Sequence, residues 1–291
     1  MREFFQNIIV ILGVIFIWQS LIFAQDHSTK LTNQLPAEED KHQDKQKVIR
    51  LFNGKNLDGW YTFIRSNGKG IKNDDTDKIF SVKDGLICVS GAKYGCITTN
   101  EIYENYILEV EYKVGEHSYG SRKDKAFDSG ILIHSNGKDG GYDNVWMKSI
   151  EIQVIEGGSG DFYVVSQTKD ENFSITTTVD PKSYDKKGSG IFSPNGIETT
   201  VFTPANPIRR IGVDQLKKTD VARFRNINEI EKPHGEWNLI KIIANNDKIN
   251  VYLNGQLVNK AKNVKPKKGK IQIQSEGAEF FYKRIDLIPL K

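Results

Sequence analysis

What this 291-residue chain has least of is cysteine, net charge and helical periodicity, and each shortage closes off a class of function. Its two cysteines, Cys88 and Cys96, have no basic residue or His directly beside them to lower a thiol pKa, which argues against a cysteine nucleophile. Both lie in strand-like runs on either side of residues 91–95. A hairpin there would bring them within bonding distance, so a disulfide and a pair of small buried side chains are both open. The 41 Lys and Arg against 37 Asp and Glu leave a net charge of only +4. With no Arg stripe, zinc-finger spacing, recognition-helix pattern or RNA-binding signature, nothing points to nucleic acid as a partner. No Gly-x-Gly-x-x-Gly loop joins a strand to a helix, so no dinucleotide cofactor is expected. No helical crossovers alternate with the strand-like runs, which argues against a parallel sheet.

The N-terminus carries Arg2, an apolar run over residues 8–17, and then Trp18-Gln-Ser-Leu-Ile-Phe-Ala24. Residues 1–24 read as a signal peptide cleaved after Ala24, because Gln19 and Ser20 break the run short of the roughly 20 apolar residues that span a bilayer. An uncleaved anchor is the rival reading, but no basic stop-transfer cluster follows. No Cys follows the run either, which argues against a lipid-modified N-terminus. The expectation is an exported protein, periplasmic or secreted, with no membrane partner after cleavage. Residues 25–47 are polar and charged without an apolar period and read as a flexible linker. From residue 48 to 291, short β-rich runs alternate with turn residues, and Asp84-Gly85 and Asn254-Gly255 stand between such runs as hairpin signals. This predicts an all-β domain, an antiparallel sandwich or jelly roll around one core. Residues 168–228, interrupted by Gly, Pro and Lys-rich pieces, read as a long insertion riding on it.

Within that domain, residues 149–155 alternate Ile150, Ile152 and Val154 with Glu151 and Gln153, the period-2 pattern of a strand with one packed face. A Glu in mid-strand signals either a solvated face or substrate chemistry, and alternation alone does not separate the two. On the run 130–134, alternation groups Gly130, Leu132 and His134. On the run 108–113 it sets Glu109, Glu111 and Lys113 opposite Leu108, Val110 and Tyr112. Glu111 and Lys113 join Glu151 if their face is the concave one and form a surface pair otherwise. Trp60, Tyr142, Trp146 and Tyr163 offer stacking faces for a sugar, whereas Trp237 reads as packing. Asp74-Asp-Thr-Asp77 is an acidic turn or, alternatively, a hard-cation site.

An ordered set of motifs narrows these options. Leu51-Phe-Asn-Gly-Lys-Asn-Leu-Asp-Gly-Trp60 resembles the opening motif of the 3-keto-disaccharide hydrolase family. Further matches follow in order at Phe80-Ser-Val-Lys-Asp-Gly85, Asp128-Ser-Gly-Ile131, Ile150-Glu-Ile-Gln153, Gly235-Glu-Trp-Asn238, Val251-Tyr-Leu-Asn-Gly255 and residues 269–274, covering about residue 49 to the end. The resemblance implies a concanavalin A-like jelly roll, of the lectin and glucanase architecture. It also implies an exported bacterial protein that acts on oligosaccharides or glycosides whose sugar C3 is a ketone. Such a ketone acidifies the C2 proton, so a base removes it, the enolate expels the C1 substituent, and water adds to give the free 3-keto sugar. That route needs a base and a stabiliser for the enolate oxygen, with an acid for the leaving group as an optional addition. It needs no redox cofactor, and a divalent cation polarising the ketone is an optional addition whose ligands are unassigned.

On the family's strand motif, Glu151 is the first candidate for the base or for a metal ligand. His134 is the second catalytic candidate. The family more often carries Arg there, so orienting, acid-base, ligand and structural roles all stay open for it. Glu111, Gln153, Lys113, Asp128 and Trp146 complete the candidate substrate contacts. A non-catalytic carbohydrate-binding module is the alternative function. An ordinary retaining glycosidase is the third reading, since Glu151-x-Gln153-x-x-Glu156 has the spacing of the Glu-x-Asp-x-x-Glu motif of concanavalin-like glucanases. Gln153 replaces the Asp, however, and Glu156 needs a bulge to share a face with Glu151.

Overall fold

The computed structural model describes residues 47–215 and 219–291, so the leader and all but the last residue of the polar linker lie outside the described residues. The described chain is a β-sandwich with a jelly-roll architecture, antiparallel except where Gly190–Ile191 pairs with Ile208–Arg209, and its one 3-10 turn, Gly120–Arg122, is the only helical piece among those residues. The back sheet runs Ile197–Val201, Ser174–Val179, Gln256–Lys265, Lys248–Leu253, Asn238–Asn245, Tyr106–Ser118, Ala278–Pro289, Leu86–Val89, Phe80–Lys83. The front sheet runs Gly190–Ile191, Ile208–Arg209, Phe162–Val165, Lys148–Ile155, Asp128–Asn136, Lys268–Ser275, Gly95–Thr99, Trp60–Ser66, Lys69–Lys72.

Period-2 alternation explains the two layers. From the front sheet, Ile131, Ile133, Ile150, Ile152, Val154, Ile271 and Ile273 point inward. They meet Leu108, Val110, Tyr112, Ile240, Ile242, Phe280 and Tyr282 of the back sheet, all essentially dry and in one cluster. Each such aliphatic side chain contributes about 1.5–3 kcal/mol by leaving water, which fixes strand register because a one-residue slip would turn the whole set outward. Two tyrosine hydroxyls that enter this core are paired: Ser129 Oγ lies 2.8 Å from the Tyr282 hydroxyl, and the Tyr112 hydroxyl donates to Ser159 Oγ at 2.8 Å. The hairpin signals carry their expected backbone, with positive φ at Asp84, Gly85, Asn254 and Gly255.

The stretch 168–228 contributes strands to the same edge of both sheets. Ser174–Val179 and Ile197–Val201 extend the back sheet, and Gly190–Ile191 and Ile208–Arg209 extend the front one. Two fully buried arginines tie it down. Arg209 Nε lies 2.5 Å from Asp161 Oδ2, and Arg210 pairs with Glu229 and lies 3.7 Å from Glu231.

The hairpin expected around residues 91–95 does not form. Cys88 belongs to the back sheet and Cys96 to the front one, so the connection crosses from one layer to the other and both thiols are free. Burial pushes the Cys96 thiol up to about 12, which makes it inert.

Candidate active site

The outer face of the front sheet is where Glu151 and Gln153 point. Glu151 stands between Leu132 and Tyr163 on its neighbouring strands, and Gln153 stands opposite Gly130. Ile131 pairs with Ile273, which brings Gln274 beside Gly130 on the next strand. Gly130 is small for a reason: a β-carbon there would come within 2.4 Å of both Glu151 Oε1 and Gln274 Oε1. The carboxylate and the amide therefore converge above one bare backbone position.

This floor belongs to a cleft of about 350 Å³, at the lower end of the volumes typical for small-ligand sites. Asp128, Asp143, Glu151 and Glu276 line it together with Gln153 and Gln274, the rings of Tyr94, Tyr142, Trp146 and Tyr163, and Val165 and Pro204. Glu151 and Gln153 are each only 6% exposed, so the face that alternation leaves polar is largely covered. Asp128 sits at the end of its strand, 3.5 Å from Arg122 Nη2.

The cover is residues 137–147, a glycine-rich connection that leaves Asp128–Asn136 and reaches across the sheet. Side-chain contacts from the sheet hold it. Trp146 Nε1 donates to Gly95 O at 3.2 Å, and Met147 N donates to Gln272 Oε1 at 3.1 Å. The Tyr61 hydroxyl donates to Asp139 at 2.7 Å, and Arg65 donates to Asp143 O at 2.7 Å. Beneath it, Phe63, Cys96, Leu132, Val145 and Trp146 form a second small apolar cluster on the outer face of the front sheet. Three rings line up along the boundary: Tyr142 and Trp146 at 6.2 Å and 25°, Tyr94 and Trp146 at 5.9 Å and 33°.

Two tyrosines of the cleft are held as neutral phenols. Burial raises the Tyr163 phenol well above the ordinary value, with the charge on Asp161 adding to it. Burial also raises Tyr142, and the negative charge of Glu151 is its second cause. Both remain protonated at neutral pH, and the Tyr163 hydroxyl is a hydrogen-bond donor beside Glu151.

The sequence candidates divide between this cleft and other places. Glu151, Gln153, Asp128 and Trp146 come together here, with Tyr142 and Tyr163. His134 does not. The strand register shifts around it on both sides, and its φ of 51° breaks the alternation that grouped it with Gly130 and Leu132. It is 1% exposed at an end of the core, with Nδ1 2.8 Å from Pro266 O and its ring edge-on to Tyr106 of the back sheet. Glu111 and Lys113 are separated from Glu151 by the whole core, because their strand is in the back sheet and they point out of its far face. Glu111 accepts from Arg284 Nε at 3.1 Å, and Lys113 lies 5.3 Å from the Trp237 ring.

Glu156 follows the strand's last residue and turns away from the cleft. It accepts from Phe127 N at 3.1 Å and Arg223 N at 2.8 Å, with His234 Nδ1 at 2.7 Å. The acidic run 74–77 is a turn in which Asp75 accepts from Ile79 N and Phe80 N. Trp60 is in the core, donating to Leu51 O at 2.6 Å. Among the described residues, no group of three or more His, Cys, Asp or Glu is arranged to hold a metal ion. Tyr94, Asp143, Pro204 and Glu276 had no local pattern to announce them. Gln274 closes the last family motif, and that was its signal.

The family profile described as the 3-keto-alpha-glucoside-1,2-lyase-like domain matches residues 47–288. The chain belongs to this family. Its members' description places the domain in carbohydrate chemistry, and the match spans every element of the cleft. No curated protein matches the chain significantly. Among solved structures, a Parabacteroides distasonis protein named as a putative glycosyl hydrolase is 18% identical, with 84% of this chain and 94% of that chain covered and a TM-score of 0.45. A Bacillus licheniformis β-glucanase is 11% identical, covering 84% and 98% with a TM-score of 0.43. A carbohydrate-binding module from Bacillus subtilis is 10% identical, covering 78% and 94% with a TM-score of 0.39.

Proposed function

We propose that this domain cleaves 3-keto-glycosides by elimination across C1 and C2 of the oxidised sugar, followed by hydration. The observation that carries the reading is the convergence of Glu151 with Gln153 and Gln274 on a nearly dry floor inside the family-matched region. In this reading Glu151 takes the C2 proton. The amide N–H groups of Gln153 and Gln274 and the Tyr163 hydroxyl receive the C3 oxygen as it becomes an enolate, and the C1–O bond breaks with its electron pair leaving on the departing oxygen, which takes up the proton that Glu151 removed from C2. Covering the floor strengthens each of these interactions, because water does not compete for the donors.

The test is to incubate the purified domain with a 3-keto-disaccharide and with its unoxidised parent, with and without chelator. Turnover of the keto substrate alone, abolished by Glu151→Gln with the fold intact, is the expected result. Equal turnover of both substrates would point to an ordinary glycosidase, and unchanged activity in Glu151→Gln would remove it as the base. A non-catalytic sugar-binding module is the second reading, supported by the ring row along the cleft, and it predicts saturable binding without product. Export is part of the proposal. It rests on the leader-like residues 1–24 and predicts a mature N-terminus at Gln25 in fractionated cells.

A further inference from the structure

We infer that the ring row beside Glu151 is the subsite for the leaving sugar, with Tyr142 as its stacking face and Trp146 as the brace behind it. This rests on the elimination reading above and adds where the second sugar lies. Trp146 is 4% exposed and its indole N–H is committed to Gly95 O, so it has little face left to offer a ligand. Tyr142 and Tyr94 flank it and are half-buried, which leaves parts of both rings facing the cleft. Tyr94 is already covered by the Arg65 guanidinium, 5.1 Å from its ring centre. Tyr142 is therefore the ring on offer. A pyranose presents a C–H face that packs on an aromatic ring and a rim of hydroxyls that needs polar partners, and Asp143 and Glu276 line the same cleft. The bond that breaks is at C1, one atom from the proton Glu151 removes, so the group beyond C1 must occupy the part of the cleft next to the carboxylate. Glu151 and Tyr142 line the same cleft.

The experiment compares a 3-keto-glucosyl disaccharide with methyl 3-keto-glucoside, which lacks a leaving sugar. Tyr142→Ala is expected to raise KM for the disaccharide about tenfold and to leave both constants for the methyl glycoside within about twofold. Tyr142→Phe retains wild-type behaviour on both, and the melting temperature of each variant checks the fold. Equal losses on the two substrates, or no loss on the disaccharide, overturn the subsite. If the wild-type domain turns over neither substrate, the elimination reading fails. The subsite is then judged by saturation-transfer NMR with an unoxidised disaccharide. Transfer concentrated on the reducing-end ring, lost in Tyr142→Ala and kept in Tyr142→Phe, supports it. Transfer that does not depend on Tyr142 overturns it.

Discussion

Gly130 lies directly beneath Glu151, so close that a β-carbon added to the glycine would come within 2.4 Å of the carboxylate oxygen. The contact is between a strand backbone and the end of a side chain on the next strand, at the centre of the cleft floor. Gly130→Ala therefore displaces Glu151 and Gln274 together. The expected outcome is a kcat on 3-keto substrates reduced tenfold or more, as misplacing a reacting group by about 1 Å is enough to do. Circular dichroism should be unchanged. A kcat within about twofold of wild type would show that the carboxylate does not need its present position.

Glu156 separates the proposed chemistry from that of a retaining glycosidase. Its carboxylate is held by two backbone N–H groups and His234, away from the cleft. Glu156→Gln should lower stability by about 1–3 kcal/mol in chemical denaturation, because a buried charge-assisted bond is weakened, and should leave turnover of a 3-keto substrate unchanged. Loss of turnover with unchanged stability would contradict this assignment.

His134 should give the protein an acid-sensitive limb. Burial lowers its pKa from 6.5 to about 4, outweighing the hydrogen bond to Pro266 O. The folded state thus prefers the neutral ring, and below pH 6.5 the unfolded chain takes up a proton that the folded one refuses. The stabilisation is complete above pH 6.5 and is lost progressively as pH falls to about 4. Urea denaturation of His134→Asn across that range should show a flatter profile than wild type, since Asn tolerates the positive φ there. Equal slopes would sink the prediction.

The arginine lock on residues 168–228 makes a stability prediction. Asp161→Asn removes the partner 2.5 Å from Arg209 Nε in a site from which water is excluded. A loss of about 3–5 kcal/mol is expected, the usual cost of leaving one charge of a buried pair behind. Denaturant midpoints and m-values measure it, and a change under about 1 kcal/mol would mean that the edge strands hold by backbone pairing alone.

Replacing Glu111 or Lys113 by Ala should leave activity on 3-keto substrates unchanged, since both point from the far face of the back sheet. A large loss from either would place chemistry on that side of the sandwich.

The sandwich was legible because period-2 patterning and Asp-Gly and Asn-Gly turns are local signals, and the faces of Ile150 to Val154 and of Leu108 to Tyr112 follow directly from them. The pairing of Glu151 with Gln153 was legible for the same reason. What alternation does not carry is which sheet a strand joins, and this is why Glu111 and Lys113 were grouped with a cleft that lies across the core from them. Nor does it carry a bulge. His134 obeys the period in sequence and breaks it in space, because one residue with positive φ turns the side chain to the other face. The cleft wall was invisible for a different reason. Tyr94, Asp143 and Pro204 sit in connections, where position is set by long-range anchoring and not by any repeat.

That anchoring divides the cleft between two parts of the sequence. The connection 137–147 is held down by Tyr61, Arg65, Gly95 and Gln272, residues that it does not itself contain, while the ring facing the cleft is its own Tyr142. The polar floor of the cleft and its Tyr142 wall are thus encoded in separate stretches of chain. Substitution within those eleven residues reaches the Tyr142 side of the cleft through a stretch of chain that contains neither Glu151, Gln153 nor Gln274.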